Sequence, residues 1–324
     1  MQRLTLDQLD TLLALIEAGT FDAAARRLHV TASAISQRVK AMEEACGRVL
    51  VQRSSPVTLT EAGELVLRYA RQVNLLEADT LRALEGPGAG DRAVTLALAV
   101  NADSLATWFL GALAGLGDRL NVAFDLHRED QERTLSLLRA GVVMAAVTSS
   151  PEPVQGCRST ALGSMRYLAV ATPAFVDRWL GAGLTALPDA PIVLFDRNDD
   201  LQDAFLREHA GRAGAAPGHF IPTSHDFARA VLLGLGWGML PEQQCLAEIA
   251  EGTLVRLAAA HPVDVPLYWQ RWNLSSALLD AVSAAVRVQA EQTLRPIPVP
   301  VTNPVTYRSA PAERRSPEHG SPRS

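Results

Sequence analysis

Basic side chains that could bind phosphate groups are concentrated near the start of this 324-residue chain. Arg26, Arg27, Arg38 and Lys40 follow one another with no acidic residue between them, and Arg53 comes soon after. Lys and Arg neutralise phosphates and release counterions, which supplies the sequence-independent part of DNA affinity. Because the formal net charge is −5 and the isoelectric point is about 5.8, the chain as a whole is not a basic nucleic-acid binder. Any DNA-binding surface must therefore be local.

A polar face with the chemistry to recognise base edges runs along the predicted third helix. Ser33, Ser36, Gln37 and Lys40 share this face, and Thr31 is placed to cap the helix. Ser and Gln side chains both donate and accept hydrogen bonds, which base edges require of a protein partner. The apolar residues predicted to pack inward are Ala34, Ile35, Val39 and Met42. A solvated polar face with no nucleic-acid partner is the alternative interpretation.

Three short helices must position these side chains. Apolar residues at helical spacing over 6–16 predict a first helix that ends at Gly19, and Thr20 can cap the second helix. The third helix runs to about Cys46. Helices joined by so short a turn form a helix-turn-helix, whose second helix can enter a major groove, although spacing alone also fits an ordinary helical hairpin. Residues 53–60 alternate in polarity and predict a small β-hairpin, or wing.

A long helix over residues 61–85, capped by Thr60, follows the wing. Its apolar residues recur at spacings of three and four, which is typical of a coiled-coil seam. The seam residues are Val66, Tyr69, Val73 and Leu76, continued by Thr80 and Ala83. Residues 86–90 contain three glycines and a proline and predict a flexible linker. A seam helix before a linker favours dimerisation over packing within one domain.

Beyond the linker, apolar strands alternate with helices, and this alternation predicts parallel sheets. The predicted strands cover residues 94–100, 122–126, 142–147, 166–171, 192–195, 220–221, 238–240 and 267–272. The main predicted helices cover residues 103–116, 131–139 and 276–294. Ligands of such sheets bind at the carboxyl ends of the strands, often between two lobes. Residues 296–324 are rich in Pro, Ser and Arg and are predicted to be disordered.

Several segments of the chain resemble LysR-type transcriptional regulators. They are TFDAAARRLHVTASAISQRVKAMEE in the helix-turn-helix and RSSPVTLTEAGE across the wing and the start of the long helix. Four later segments resemble the branch of that family that responds to basic amino acids, the ArgP/LysG/IciA type. They are NADSLATW, REDQERTLSLLRAG, APIVLFDRNDDLQDAFL and LYWQRW. The resemblance covers about residues 4–294. Ala32 departs from the family, which often has Gln there, so the operator sequence is not implied.

The resemblance implies an α/β protein in four parts. These are a winged helix-turn-helix DNA-binding domain (1–60), a long dimerising linker helix with its hinge (61–90), a two-lobed effector domain of periplasmic-binding-protein type (91–295) and the disordered tail (296–324). It further implies a homodimer, or a tetramer of two dimers, that binds double-stranded operator DNA and RNA polymerase. The regulated gene would be that of a basic amino-acid exporter or a related gene. Lysine, arginine and histidine are the candidate effectors, and neither a cofactor nor a metal is implied.

An amino-acid effector needs partners for its carboxylate, its amine and a cationic side chain. Asn101, Asp103 and Ser104 follow the first predicted strand of the effector region, where helix N–H groups could hold a carboxylate. Capping of that helix by Asp103 or Ser104 is the alternative. Further candidates at later strand ends are Glu129, Asp130, Thr148, Ser149, Ser224, Asp226 and Phe227. For these, a solvated charge run over 129–132 and a helix cap at Ser224 are the alternatives.

Enzymatic function is not favoured by the sequence. Gly234, Gly236 and Gly238 follow a predicted helix and precede a strand, the reverse of a dinucleotide-binding fingerprint. The sequence contains no GxxxxGK[ST], HExxH or GxSxG motif. The seven histidines include no pair at helical metal-binding spacing, which argues against a zinc site.

The cysteines and the start of the chain predict a cytoplasmic protein. Cys46, Cys157 and Cys245 are far apart and lack zinc spacing, which favours reduced thiols. Asp7 and Asp10 interrupt the first apolar residues, so no secretory segment is predicted, and no apolar run approaches the ~20 residues that span a bilayer. A solute-binding protein of the same two-lobed fold is the alternative function. The missing export signal and the helix-turn-helix argue against it.

Overall fold

The computed structural model of the chain describes residues 3–85, 94–129, 131–212, 214, 217–258 and 261–297. The predicted linker at 86–90 and the predicted tail from residue 298 onward lie outside these residues. Within the described part of the chain, no helix combines the length and the apolar composition that a membrane-crossing segment needs.

The N-terminal region is a helix-turn-helix with a wing, as predicted. It contains α1 (Leu6–Ala18), α2 (Phe21–Arg27) and α3 (Ala32–Cys46), followed by the antiparallel strands β1 (Val51–Gln52) and β2 (Thr58–Leu59). The Thr20 and Thr31 hydroxyls accept hydrogen bonds from the backbone N–H groups of Ala23 (3.2 Å) and Ala34 (3.1 Å), which confirms both predicted caps. Gly19 ends α1 with φ +71°, a conformation that favours glycine. The wing begins two residues earlier than predicted.

The long helix α4 (Glu61–Glu85) follows Thr60, whose hydroxyl accepts a hydrogen bond from the Gly63 N–H at 3.1 Å. Leu67 and Ala70 of α4 are buried in the apolar core of the N-terminal region. Leu75, further along the helix, is buried in the core of the α/β region instead. The helix therefore joins the two parts of the molecule through packing as well as through the chain.

The α/β region contains nine helices and nine strands within the described residues. The helices are α5 (Ala102–Ser104), α6 (Leu110–Leu113), α7 (Leu116–Leu120), α8 (Gln131–Arg139), α9 (Pro173–Trp179), α10 (Leu201–Ala210), α11 (Ser224–Leu232), α12 (Leu246–Ala250) and α13 (Ala277–Thr293). The strands are β3 (Val94–Val100), β4 (Val122–Arg128), β5 (Ala145–Thr148), β6 (Cys157–Ala171), β7 (Ile192–Leu194), β8 (Gly218–Phe220), β9 (Gly238–Pro241), β10 (Val255–Arg256) and β11 (Val263–Trp272). A π-helical turn, Leu105–Phe109, joins α5 to α6.

The main sheet is mixed, so the prediction of parallel sheets was right for some strand pairs and wrong for others. Its strand order is β10-β6-β11-β5-β3-β4, and β9 also pairs with β6. Strand β3 is parallel to β4 and β5, but β11 is antiparallel to both β5 and β6. A separate parallel pair joins β7 and β8. The order of strands and helices along the chain does not show which strands pair with each other. Here the late strand β11 pairs with the earlier strands β5 and β6.

Strands β6 and β11 connect two lobes. The first lobe contains β3 to β5, and the end of β11 pairs with β5 there. The second lobe contains β9 and β10, both of which pair with the end of β6. Strand β6 begins at Cys157 rather than at the predicted residue 166, because its first half carries exposed polar residues that resemble a loop. Likewise β11 begins at Val263 rather than at residue 267.

The predicted helix over 103–116 is broken in the structure. It begins one residue earlier, at Ala102, and ends at Leu113. Gly115 then adopts φ +74°, which an α-helix cannot contain, and α7 begins after it. The early start matters for the candidate site, because it makes Asn101 the N-cap residue.

Helix α4 is held against the first lobe by two arginines. Arg68 and Arg71 donate hydrogen bonds to the backbone carbonyls of Arg139 and Gly141, each at 2.9 Å, at the C-terminal end of α8. The Arg68 guanidinium also lies 5.2 Å from the ring centroid of Trp272. Gly141 has φ +64°, and a Cβ atom there would lie only 2.3 Å from the Arg68 Cγ. This close approach therefore requires glycine at position 141.

Candidate DNA interface and effector cleft

Helix α3 exposes the polar face that the sequence predicted for DNA. Ser33, Gln37 and Lys40 are exposed and Ser36 is half-buried. The opposite side of the helix is anchored by Ile35, Val39 and Met42, whose exposed fractions are at most 2%. Ala34, also predicted to face inward, is half-buried. The helix is thus fixed in the domain by its apolar side, and its polar side is free to meet a major groove.

Four of the five predicted phosphate-binding side chains, those of Arg26, Arg27, Lys40 and Arg53, are exposed. Arg26 is exposed, and Arg53 lies with its guanidinium 5.5 Å from the ring centroid of Phe21. Arg27 pairs with Glu17 at 2.5 Å, and Lys40 pairs with Glu44 at 3.7 Å. Exposed ion pairs of this kind contribute about 1 kcal/mol or less, so phosphates can replace the carboxylates at little cost.

Arg38 has a different environment from the other basic residues. Its guanidinium donates a hydrogen bond to the Thr11 hydroxyl at 3.2 Å and lies 3.7 Å from the Asp7 carboxylate. Both partners belong to α1, so Arg38 connects α3 to α1. Arg38 therefore stabilises the packing of α3 against α1. The sequence predicted only a phosphate contact for this residue.

In the α/β region, the Asp103 carboxylate connects the two lobes. Its Oδ2 accepts a hydrogen bond from the Tyr167 hydroxyl at 2.7 Å, and its Oδ1 accepts one from the Ser224 hydroxyl at 2.6 Å. Gln244 Nε2 in turn donates to the Ser224 hydroxyl at 3.0 Å. Asp103 follows β3 of the first lobe, whereas Ser224 begins α11 of the second. These four residues, which we call the Asp103 cluster, lie at the junction of the lobes.

A second carboxyl group, that of Asp199, interacts electrostatically with the Asp103 cluster. Burial is the largest effect on the pKa of the Asp199 carboxyl and raises it above its ordinary value; hydrogen bonds to the carboxyl partly oppose this, and the charge of Asp103 adds a smaller increase. The backbone N–H groups of Phe195 and Leu201 donate to Asp199, at 3.0 and 3.3 Å. Burial, followed by the charge of Asp103, also raises the pKa of Tyr167, so this phenol stays a hydrogen-bond donor. Such a site favours a cation.

Two further polar atoms beside Asp103 have no hydrogen-bond partner in the described structure. They are Asn101 Oδ1 and Ser104 Oγ, both fully shielded from solvent. Asn101 occupies the N-cap position of α5, but its side chain makes no capping bond. The alternative prediction, capping by Asp103 or Ser104, was therefore wrong. Buried polar groups are usually paired, so unpaired ones next to a charged cluster point to a ligand.

Two further predicted effector residues, Thr148 and Phe227, make contacts outside the Asp103 cluster. The buried Thr148 hydroxyl donates to the Ser150 carbonyl at 3.1 Å and accepts from Gln270 at 3.3 Å, so it belongs to an internal network. Phe227 is 4% exposed and packs in an apolar core of the second lobe. Its placement in this core contradicts the prediction that it lines the cleft.

The last four predicted effector residues are Asp226, Glu129, Ser149 and Asp130, of which Asp226 lies in the first turn of α11. The exposed Asp226 carboxylate accepts a hydrogen bond from the Thr223 hydroxyl at 2.6 Å, and Thr223 rather than Ser224 caps α11. Glu129 and Ser149 are half-buried just beyond the ends of β4 and β5. Asp130 lies outside the described residues.

The predicted dimer seam divides into two sets of residues. Tyr69 and Leu76 are 50% and 39% exposed, and Leu65, on the same side of α4, is 52% exposed. Val66 and Val73 are half-buried against the core of the N-terminal region. The exposed set, Leu65, Tyr69 and Leu76, is called the outer stripe below.

Comparison with known protein families gives two matches that together span most of the chain. Residues 6–64 match the family model described as the bacterial regulatory helix-turn-helix protein of the lysR family. Residues 89–291 match the model of the LysR substrate binding domain. Helix α4 lies mostly between the two matches.

Similar full-length proteins share both parts. The transcriptional regulator LysG of Mycobacterium tuberculosis is 46% identical over 290 residues, covering 89% of this chain and 94% of that protein. The lysine export transcriptional regulatory protein LysG of Corynebacterium glutamicum is 41% identical, covering 89% of this chain and 99% of that protein. A solved structure of full-length C. glutamicum LysG with its effector arginine bound is 41% identical and has a TM-score of 0.71, covering 90% of this chain and 100% of that one.

Proposed function

Because the chain belongs to the LysR family and is a transcriptional regulator of the LysG/ArgP type, we propose that it senses a basic amino acid and controls the gene of an exporter for that amino acid. Lysine and arginine are the primary candidate effectors, and histidine is the third. The exporter is part of the proposal because the C. glutamicum relative is a lysine export regulator. The arginine bound to the solved LysG supports the effector class.

The observation that carries the proposal is the Asp103 cluster with Asp199 beside it. A cationic ligand between the lobes would find two carboxylates, one of which has its pKa raised by burial and by the other. Charge-assisted hydrogen bonds are about twice as strong as neutral ones. Asn101 Oδ1 and Ser104 Oγ, which have no partner in the described residues, would accept hydrogen bonds from an ammonium or guanidinium group. This set of acceptors favours a basic over a neutral or acidic amino acid.

The proposed response depends on the connection between the lobes. Asp103 and Ser224 are 121 positions apart in sequence and belong to different lobes. A ligand that competes for the Asp103 carboxylate therefore changes a direct contact between the lobes. Because Arg68 and Arg71 attach α4 to the first lobe, a change in lobe orientation would reach the helix that carries the DNA-binding domain.

The proposed assembly is a homodimer, or two such dimers, formed through the outer stripe. Leu65, Tyr69 and Leu76 expose apolar surface along one side of α4, which a second α4 could cover. Two paired domains would bind two operator half-sites, as helix-turn-helix dimers do. Contact with RNA polymerase belongs to the same proposal.

The effector proposal is tested by titration calorimetry of the full-length protein with arginine, lysine and histidine. Citrulline and norleucine serve as matched ligands, because they keep the size of arginine and lysine but lack the side-chain charge. We expect the charged ligand of each pair to bind about ten-fold or more tightly, since a charged hydrogen bond contributes ~1.5–3 kcal/mol. Preference for a neutral or an acidic amino acid would contradict the proposal.

Base and phosphate contacts on α3 can be separated by their salt dependence. We expect Gln37→Ala to relax sequence preference by ~1–3 kcal/mol at one base position, and Lys40→Ala to weaken binding to all sequences and lower the salt slope by about one. Gel-shift titrations at several salt concentrations measure both effects, with a duplex selected from a random pool by the parent and with a scrambled duplex. Arg178→Ala, which removes an exposed cation from the second lobe, is the control. If both α3 variants behave like this control, the assigned face is wrong.

A further inference from the structure

Three potential metal ligands meet in the second lobe, away from the Asp103 cluster. Glu208 and His209 lie near the end of α10, and His261 lies two residues before β11. Their ligand atoms all lie within 4.8 Å of one another. Glu208 and His261 are exposed, whereas His209 is half-buried. No sequence pattern indicated this site, because the two histidines are far apart along the chain and are brought together only by the fold.

The hydrogen bond of His209 determines which ring nitrogen is available. Its Nδ1 lies 3.0 Å from the backbone carbonyl oxygen of Phe205. A carbonyl oxygen can only accept, so Nδ1 must carry the proton, and the neutral ring then has its lone pair on Nε2. The ring also stacks on Phe205, with centroids 4.2 Å apart. An N–H donated to a backbone carbonyl is the usual second interaction of a histidine that binds a metal.

His209 Nε2 is an acceptor without a partner. The atom is shielded from solvent and makes no hydrogen bond within the described residues. Buried polar atoms are usually paired, so an unpaired acceptor calls for an explanation. The neighbouring His261 ring lies edge-on, with centroids 4.9 Å apart and an interplanar angle of 70°, so the two rings are not stacked face to face. A cation placed between these groups would use the unpaired Nε2.

We propose that Glu208, His209 and His261 bind a divalent transition-metal ion of the zinc class. Two imidazoles and one carboxylate are a common protein ligand set for Zn²⁺, with water in the fourth position. Metal–ligand distances of ~2.0–2.2 Å require the ligand atoms to approach one another by about 1 Å. The exposed side chains of Glu208 and His261 can make this adjustment while the stacked His209 stays in place.

The site would connect α10, which begins near Asp199, to the segment before β11, which runs between the lobes. Helix α10 begins two residues after Asp199, and His261 closely precedes β11, which runs between the lobes. A bound ion would therefore tie α10 to the start of a connecting strand. This role is additional to the sensing of an amino acid and does not require it.

The test is a calorimetric titration of the full-length protein with Zn²⁺ as the only added ligand. The protein carries no tag and is treated with a chelator beforehand. We expect one ion per chain at this site, and His261→Gln and Glu208→Gln should each lower the affinity more than about ten-fold. Both substitutions are at exposed positions and leave the stacked His209 intact, so the variants should fold. His219→Gln, which removes an exposed histidine from β8, is the matched control and should bind like the parent.

A second measurement distinguishes Zn²⁺ binding at this site from Zn²⁺ binding by the cysteine thiols and from a loss of folding in the variants. Zn²⁺ should raise the melting temperature of the parent and of His219→Gln but not that of His261→Gln. The proposal is overturned if the parent binds no ion, or if all variants bind equally. It is also overturned if blocking the cysteines abolishes binding while the His261 and Glu208 variants retain it.

Discussion

Asp103→Asn is expected to weaken arginine and lysine binding by about ten-fold or more and to leave effector-free DNA binding unchanged. The carboxylate accepts hydrogen bonds from both Tyr167 and Ser224 and is the anionic group shared by the two lobes. Asparagine keeps the shape and one acceptor oxygen, and its amide can donate to the Ser224 hydroxyl. The substitution thus removes charge with little change in packing.

Calorimetry with arginine and citrulline shows which end of the effector Asp103 contacts. If the loss in affinity is larger for arginine, Asp103 pairs with the guanidinium group; if it is equal for both ligands, Asp103 pairs with the α-amine that both carry. The control is Asp226→Asn, the same chemical change at an exposed carboxylate in the first turn of α11, and we expect a smaller effect there. Unchanged affinity of Asp103→Asn for both ligands would place the effector elsewhere.

Leu76→Asp is expected to lower operator affinity by about two orders of magnitude. Linking two binding modules raises their combined affinity ~10²–10⁴-fold, and this gain is lost when the modules separate. A carboxylate within a paired outer stripe would be buried without a partner, which is strongly unfavourable. Sedimentation should show weaker self-association, and gel shifts with the selected duplex should show the loss of affinity.

Leu81→Asp is the matched control for the outer stripe. Leu81 belongs to the same helix and is 48% exposed, a fraction similar to those of Tyr69 and Leu76. At ~100° per residue, however, it lies about 140° around α4 from Leu76. The control should keep most of the parent's operator affinity. If the two aspartate variants bind the operator equally well, α4 does not form the dimer through this stripe.

Local features of the fold were predictable from the sequence because their causes are local. Thr20 and Thr31 cap their helices, and Gly19 ends α1, as the order of residue types indicated. The inward residues Ile35, Val39 and Met42 recur at helical spacing, so the exposed face of α3 followed from them. Each of these features depends on groups only a few positions apart.

The candidate effector site was only partly predictable because it is assembled from distant segments. Asp103 and Ser224 were both expected at strand-to-helix loops, but their contact depends on how the lobes meet. Tyr167 and Gln244 were missed: one lies inside a strand and the other in a short turn, where no pattern marks a functional side chain. Asp199 had one signal, its position within a segment that resembles the regulator family.

The pairing of β5 with β11 also determines when the protein can fold during its synthesis. The first lobe contains strands from early in the chain, yet β5 pairs with residues 268–271 of β11, which are synthesised late. The nascent effector region therefore stays incomplete until the ribosome has added nearly all of the described residues. Until then one edge of the apolar strand β5 has no partner strand. The N-terminal region has its own core and needs nothing beyond α4, so it can form first. A DNA-binding domain would thus exist on the ribosome before the part that regulates it.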